Sequence, residues 1–354
     1  MGAGDSVINS GLTITLADRP TDNAFYWTGE RVEGILEFAN NHHHSNLKLK
    51  GAYIELIGEI AYTTEQTTTC INGIQTTTTM NSNIFQSIHT TSCLEPLAIP
   101  NHTDFPVTTT TVQTHELPFF NQRQNFLSSM EEINNEIILQ HGIYYKWSFS
   151  FDLPCHLPPS LPADSPLERY AQYFLCVTLK RNRLHRNNFK SIPLTVCPRL
   201  NVLHYPHYSL ELENENRKDV HLHAIISQNF IVPGTNISIQ YDLRNPKRSM
   251  TDRIEVRLVQ YRQMSSCGTV QKAIVEMDVP YIRKPREEYL EGTFNLKISD
   301  IYLPPTWPHP SSSSELVLNS NIVSVKYELT MTVKLHGTMP NFLLMFPITM
   351  GTPK

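Results

Sequence analysis

The chain has 354 residues, with 33 acidic against 29 basic side chains and a formal charge of −4. That balance excludes a broadly basic nucleic-acid coat and a long acidic tail. The 40% hydrophobic content supplies real cores, while no apolar run approaches the ~18 residues of a membrane-spanning helix. At about 150 residues per domain, the length suits two domains.

The start, Met1-Gly2-Ala3-Gly4-Asp5-Ser6, has neither the basic nor the apolar region of a secretory signal. Gly2 with Ser6 fits the M-G-x-x-x-[ST] pattern of N-myristoylation, so Gly2 is a candidate lipidation site. One myristoyl chain gives only marginal membrane binding and needs a second signal. The six cysteines, Cys70, Cys93, Cys155, Cys176, Cys197 and Cys267, form no C-x-x-C pair. Without a secretory leader they are expected as free thiols in a cytoplasmic protein. The sequons at Asn101 and Asn236 are then chance matches.

Most periodic segments alternate with period two. Val32, Gly34, Leu36 and Phe38 share one face against Glu33 and Glu37. Ile54, Leu56 and Ile60 alternate with Glu55 and Glu59. Tyr173, Leu175, Val177 and Leu179 form another face, followed by Ile237, Ile239, Tyr241 and Leu243, then Ile254, Val256 and Leu258. The last is Tyr327, Leu329, Met331, Val333 and Leu335. One buried face per strand predicts antiparallel sheets packed as sandwiches, an all-β chain. A single short helix is expected near Met130–Leu139. The Thr-rich stretch 63–114 reads as a long loop, or in part as a hairpin running beyond the sheet, given the β propensity of Thr. Its dense hydroxyls also suit phosphorylation. Ser311–Ser314 reads as a loop. The domain boundary falls over Cys197–Pro206.

No GxSxG, HExxH, Walker or GxGxxG motif occurs, and no enzyme is expected. His42-His43-His44 reads as an exposed loop. His221 and His223 share a strand face, but with no acidic or thiol ligand recognised beside them they read as solvated, and no metal is expected. Lys180, Arg181, Arg183, Arg186 and Lys190 follow one strand closely. They are a candidate site for a phosphorylated tail or an anionic lipid head group, against the plainer reading of a solvated hairpin. Arg244, Lys247 and Arg248, near a turn at Asn245-Pro246, read as surface.

Several segments together resemble the arrestin family, especially its arrestin-domain-containing (α-arrestin) branch. Tyr26-Trp27-Thr28-Gly29-Glu30-Arg31-Val32-Glu33-Gly34 is similar to the family's opening, and Leu47-Lys48-Leu49-Lys50-Gly51 with Ile54-Glu55-Leu56-Ile57-Gly58-Glu59 to its next strand. Phe149-Ser150-Phe151-Asp152-Leu153-Pro154 before Leu157-Pro158-Pro159-Ser160-Leu161 resembles a family corner, followed by the strand from Arg169 to Val177. In the second half, Phe230-Ile231-Val232-Pro233-Gly234, Ile254-Glu255-Val256-Arg257-Leu258-Val259-Gln260, Leu303-Pro304-Pro305-Thr306, Val323–Leu329 and Phe346–Gly351 match in order.

The resemblance implies two tandem immunoglobulin-like β-sandwich domains, each of about seven strands. They are residues 1–197 with the Thr-rich insert 63–114, a linker at 198–206, and an arrestin C-terminal-like domain at 207–354. It further implies a non-catalytic, cofactor-free adaptor. Such an adaptor binds the cytoplasmic tails of receptors and transporters and couples them to endocytosis, protein transport and sorting. Trafficking or ubiquitin-ligase machinery are the implied partners, although the chain has no PPxY motif to recruit a ligase directly. The implied location is cytoplasmic, with peripheral contact at plasma or endosomal membranes, and no nucleic acid is expected. Two other classes stay open at this point. One is a retromer-type scaffold subunit; the other is a sandwich-fold hydrolase or lectin, which the dispersed Trp27, Trp147 and Trp307 disfavour.

Overall fold

Strands account for every regular element among the described residues of the computed structural model. These are residues 11–17, 25–40, 46–71, 74–81, 86–92, 107–126, 137–162, 170–181, 188–199, 208–216, 219–264, 269–280, 286–308, 323–336 and 340–352. Gly2, the histidines 42–44, Cys93, Asn101, Arg183, Arg186, Cys267 and the serines 311–314 lie outside them. The chain divides into two compact units, Met1–Pro198 and Arg199–Lys354.

The first unit contains β1 (Leu12–Leu16), β2 (Phe25–Trp27), β3 (Arg31–Ala39), β4 (Leu47–Leu49), β5 (Gly51–Ile71) and β6 (Ile74–Asn81). It continues with β7 (Gln86–Ser92), β8 (Val107–Asn125), β9 (Ile137–Leu139), β10 (Tyr144–Asp152), β11 (Tyr170–Lys180) and β12 (Asn188–Cys197). Its two larger sheets have the orders β1-β3-β10 and β2-β12-β11-β5-β6-β7, with β8 also on β5, and β4 pairs with β9 in a third, two-stranded sheet. The alternating side chains of both sheets meet in one core that includes Leu12, Leu36, Leu56, Tyr173 and Val196, which is how two amphipathic sheets remove their apolar faces from water.

The second unit contains β13 (Leu210–Glu215), β14 (His221–Ile226), β15 (Phe230–Ile231), β16 (Asn236–Arg244) and β17 (Thr251–Met264). Then come β18 (Thr269–Asp278), β19 (Tyr289–Lys297), β20 (Val323–Leu335) and β21 (Phe342–Met350). Its sheets run β13-β14-β16-β19 and β15-β21-β20-β17-β18.

Three expectations change. The Thr-rich stretch is not a plain loop where it is described: β5 continues through Ile71, pairs with β6 over Thr64–Ile71, and pairs with β8 across the Thr67↔Thr110 register. Backbone pairing of β-favouring threonines wins over the loop reading. The expected helix fails at its C-terminal end, because Ile137–Leu139 pairs with Leu47–Leu49 as strand; residues 130–136 lie outside the described set. Among the described residues both units also exceed the expected seven or so strands, with twelve and nine.

The two units repeat one plan. In each, a two- or three-residue strand pairs in parallel with the last strand: β2 with β12, and β15 with β21. Each has a glycine turn next, Gly29 at φ 82° and Gly234 at φ 85°. A side chain there would be strained in the left-handed region. Each then crosses between sheets through a Pro-Pro corner. At Leu157–Leu161 the Tyr173 hydroxyl donates to the Pro158 carbonyl at 2.7 Å, and Ser160 Oγ accepts from the Val196 N–H at 2.9 Å. At Leu303–Trp307 the Tyr327 hydroxyl donates to the Pro304 carbonyl at 2.6 Å, and Thr306 Oγ1 accepts from the Met350 N–H at 2.8 Å. Isolated bridges Leu161↔Ala171 and Trp307↔Val325 complete the match, each two residues before its tyrosine.

A buried carbonyl without a partner costs about 1–3 kcal/mol. Tyr173→Phe should therefore lower the unfolding free energy by about that amount in urea titration. Tyr327→Phe should cost at least as much, since the Gln260 side-chain amide also bonds that hydroxyl. An unchanged urea midpoint for both would show that the corners do not depend on these hydroxyls.

Candidate functional site

The strand β11 ends at Lys180, which is exposed and sits opposite Gly51. Arg181 follows it, half-buried. Lys190 lies on β12 opposite Val177, and its ammonium crosses to the other sheet to donate to the Leu12 carbonyl at 2.9 Å. The predicted anion cluster is thus brought to a definite place only through Lys190. That place is an edge. Bonds from the Ala39 N–H to the Gly11 carbonyl and from the Ala17 N–H to the Glu33 carbonyl fix the ladder parity of β1. Odd residues bond to β3. The backbone groups of Leu12, Ile14 and Leu16 point away from it, while their side chains fill the core. Among the described residues strand β1 ends its sheet.

The opposite edge of the same sheet is treated differently. Strand β10 directs its even-numbered backbone groups outward. Gln124 of β8 donates to the Ser148 carbonyl at 3.3 Å and accepts from the Ser150 N–H at 3.1 Å. Gln122 donates to the Asp152 carbonyl at 3.2 Å. Two glutamine amides imitate a neighbouring strand and close that edge. A nearby open hollow of about 330 Å³ is lined by Ala17, Glu33, Gln124, Ser148 and Ser150. Its amide is already engaged with backbone, and its Ser150 hydroxyl with Glu33 at 3.3 Å.

In the second unit the histidine reading needs correction. His223 is not simply solvated: Nδ1 lies 2.7 Å from Asp242 Oδ2 and Nε2 lies 2.7 Å from Glu211 Oε1. His221 Nε2 is 3.3 Å from Glu213 Oε2, and Arg244 Nε is 3.7 Å from Asp242 Oδ1. The carboxylates escaped the sequence reading because they sit on the flanking strands β13 and β16, brought in by register. The alternation of Glu211, Glu213 and Glu215 just before His221 and His223 was the available signal. Each ring nitrogen faces a carboxylate, so the protonated ring can donate to both at once and clamp three strands together. Among the described residues no group of three or more acidic, histidine or cysteine side chains is arranged to hold a metal ion.

On the other sheet Glu255 is buried on the outer face, with Arg257 at 3.0 Å, Lys334 at 3.4 Å and Arg253 at 3.8 Å. Burial pushes its carboxyl up, but the cations outweigh that and hold it below its ordinary value. Lys247 pairs with Asp219 at 2.7 Å and Arg248 with Glu288 at 3.3 Å. Cys155, Cys176 and Cys197 are free thiols.

These observations define a tandem β-sandwich protein whose available chemistry lies in strand edges and surface ion pairs. Residues 216–354 match the family model described as Arrestin (or S-antigen), C-terminal domain. The match covers most of the second unit and marks it as similar to an arrestin C-terminal domain. No curated protein matches the chain. The first unit lies outside the matched residues, yet repeats the strand order and corner of the matched one.

The hydrogen bond to Glu211, then that to Asp242, raises the pKa of His223 above its ordinary 6.5, with burial opposing weakly. A raised folded value means the stabilisation is complete below the unfolded pKa and is lost as pH rises through the folded one. The thermal midpoint should therefore fall more for the native chain than for His223→Gln between roughly pH 6 and 8. Parallel pH profiles would show that the clamp contributes nothing.

Proposed function

We propose that the protein is a non-catalytic adaptor that binds cytoplasmic tails of membrane-protein cargo and couples them to endocytosis and sorting. The observation that carries this reading is the open edge of β1 with the Lys190 ammonium beside it. An extended tail adds to such an edge as a further strand, bonding the outward groups of Leu12, Ile14 and Leu16. An acidic or phosphorylated side chain on the tail displaces the Leu12 carbonyl as the partner of Lys190 and gains a charge-assisted bond. Arg181 and Lys180 extend positive charge along the neighbouring strand. The similarity of the second unit to an arrestin C-terminal domain supports a trafficking role. No described helix is long and apolar enough to cross a membrane. In this reading Gly2 lipidation is an added anchor beside the recognition of tails.

The test is fluorescence anisotropy of the full chain against a panel of receptor and transporter tail peptides, each with and without phosphorylation. At least one tail should bind. Lys190→Glu should weaken that binding about tenfold, the effect of losing one charge-assisted bond. No binding to any tail, together with no receptor or transporter recovered by proximity labelling in cells, would defeat the adaptor reading.

A further inference from the structure

The repeated plan of the two units exposes one difference with a consequence. The strand register places Gln122 of β8 opposite Leu56 and Gln124 opposite Ile54. In the second unit the matching positions on β18, opposite Leu258 and Val256, are Val275 and Met277. The correspondence is anchored by equivalent backbone bonds: the Phe126 N–H donates to the Ala52 carbonyl at 3.1 Å, and the Val279 N–H to the Ile254 carbonyl at 2.8 Å. Strand β19 matches β10 in the same way, pairing with β16 as β10 pairs with β3. The two glutamine amides that close the edge of β10 are therefore replaced by an aliphatic chain and a thioether, neither of which can donate a hydrogen bond or imitate a strand's paired N–H and carbonyl.

Strand β19 ends its sheet and pairs with β16 in an unbroken register over Tyr289–Lys297. The Asn245 N–H donates to the Glu288 carbonyl at 2.7 Å, and the Ile298 N–H to the Thr235 carbonyl at 3.0 Å. Even-numbered residues of β19 thus bond to β16. The N–H and carbonyl groups of Glu291, Thr293, Asn295 and Lys297 face the open edge. No other described strand pairs with that edge. A regular, bulge-free edge of this kind is a template for strand addition. By contrast, the free edge strand of the companion sheet, β18, carries a register break opposite Leu258/Val259, a feature that discourages pairing.

The sequence of β19 selects its own copy. An antiparallel pair about a two-fold axis at Phe294 sets Glu291 opposite Lys297 and Thr293 opposite Asn295, each twice. Those four residues are the ones whose backbone groups face outward, so the same register satisfies the hydrogen bonds and keeps like faces together. Opposite charges directly across an antiparallel pair attract. On the inner face Gly292 comes opposite Leu296 and Phe294 opposite its own copy, keeping apolar positions together. Glu291 keeps its local bond from the Tyr289 hydroxyl at 3.1 Å with its second carboxylate oxygen available to Lys297 of the other copy.

We propose that the β19 edge is a self-association surface, through which two copies of this chain join their four-stranded sheets into one continuous sheet.

Light scattering coupled to size exclusion, on the full chain over roughly 1–100 μM, tests this. The mass should rise from 40.5 kDa towards twice that value. Glu291→Lys and Lys297→Glu each put like charges opposite each other and should weaken the dimer at least about tenfold. An equimolar mixture of the two variants restores both attractive pairs and should dimerise again, which distinguishes loss of an interface from loss of the fold. Asn295→Pro removes an outward N–H without touching a bond to β16, and should leave a monomer with a normal melting curve. A native chain that stays at 40.5 kDa throughout would overturn the proposal, even if another protein's peptide occupied the edge. So would single charge variants that dimerise as well as the native chain.

Discussion

The hydroxyl of a buried tyrosine donating to a prolyl carbonyl is the contact on which both sandwiches depend. Each unit must carry the chain from one sheet to the other, and that crossing buries backbone that belongs to no ladder. Proline removes the N–H that would need a partner there, but leaves the carbonyl. Tyr173 and Tyr327 supply the missing donor from the middle of a strand, with their rings packed in the core. The serine or threonine two residues after the first proline then ties the corner to the last strand of the same unit. One side chain in each unit thus ties a strand of the larger sheet to the corner through which the chain crosses between sheets.

The surroundings of the two tyrosines differ in a way that follows from one position. Opposite Tyr173 stands Gly58, and the ring of Phe119 meets Tyr173 edge-on at 5.6 Å. A Cβ at Gly58 would come within 2.9 Å of both rings, so the first unit fills this place with aromatic carbon. Opposite Tyr327 stands Gln260, whose amide bonds the tyrosine hydroxyl and accepts from Arg262 Nε at 2.6 Å. The second unit fills the same place with a polar chain. Such a chain holds its geometry only while every member is satisfied, which makes it more specific and less forgiving than the aromatic solution.

Much of this was legible because a strand announces its buried face by alternation. Val32 to Phe38, Tyr173 to Leu179 and Tyr327 to Leu335 face inward as the period-two pattern requires. The Pro-Pro corners and the glycine turns were visible as motifs. The features that escaped depend on register, which joins residues distant in sequence. Asp242 lies 19 residues and Glu211 12 residues from His223, so a scan along the chain finds no ligand beside the ring. Lys190 reaches Leu12 across 178 residues, which turns one member of a basic run into a marker of a strand edge. The Thr-rich stretch left both a loop and a hairpin open, because what decides for strand is its pairing partner, a second threonine run about 40 residues away.

An all-β protein without enzymatic motifs has few places where chemistry can select a partner, and edges are the most demanding of them. A face can be left to water, because its side chains are polar. An edge cannot be neutral, since its N–H and carbonyl groups are strong donors and acceptors wherever they point. The first unit closes the β10 edge with Gln122 and Gln124 and leaves β1 open beside Lys190. The second unit has Val275 and Met277 where the closing amides would be, and leaves β19 open beside Glu291 and Lys297. The same fold therefore differs between its two copies less in the core than in which edge is sealed. A sealed edge next to an open one directs an added strand to one place. Glutamine at two positions of β8, rather than any buried residue, therefore separates the edge of β10 from that of β19.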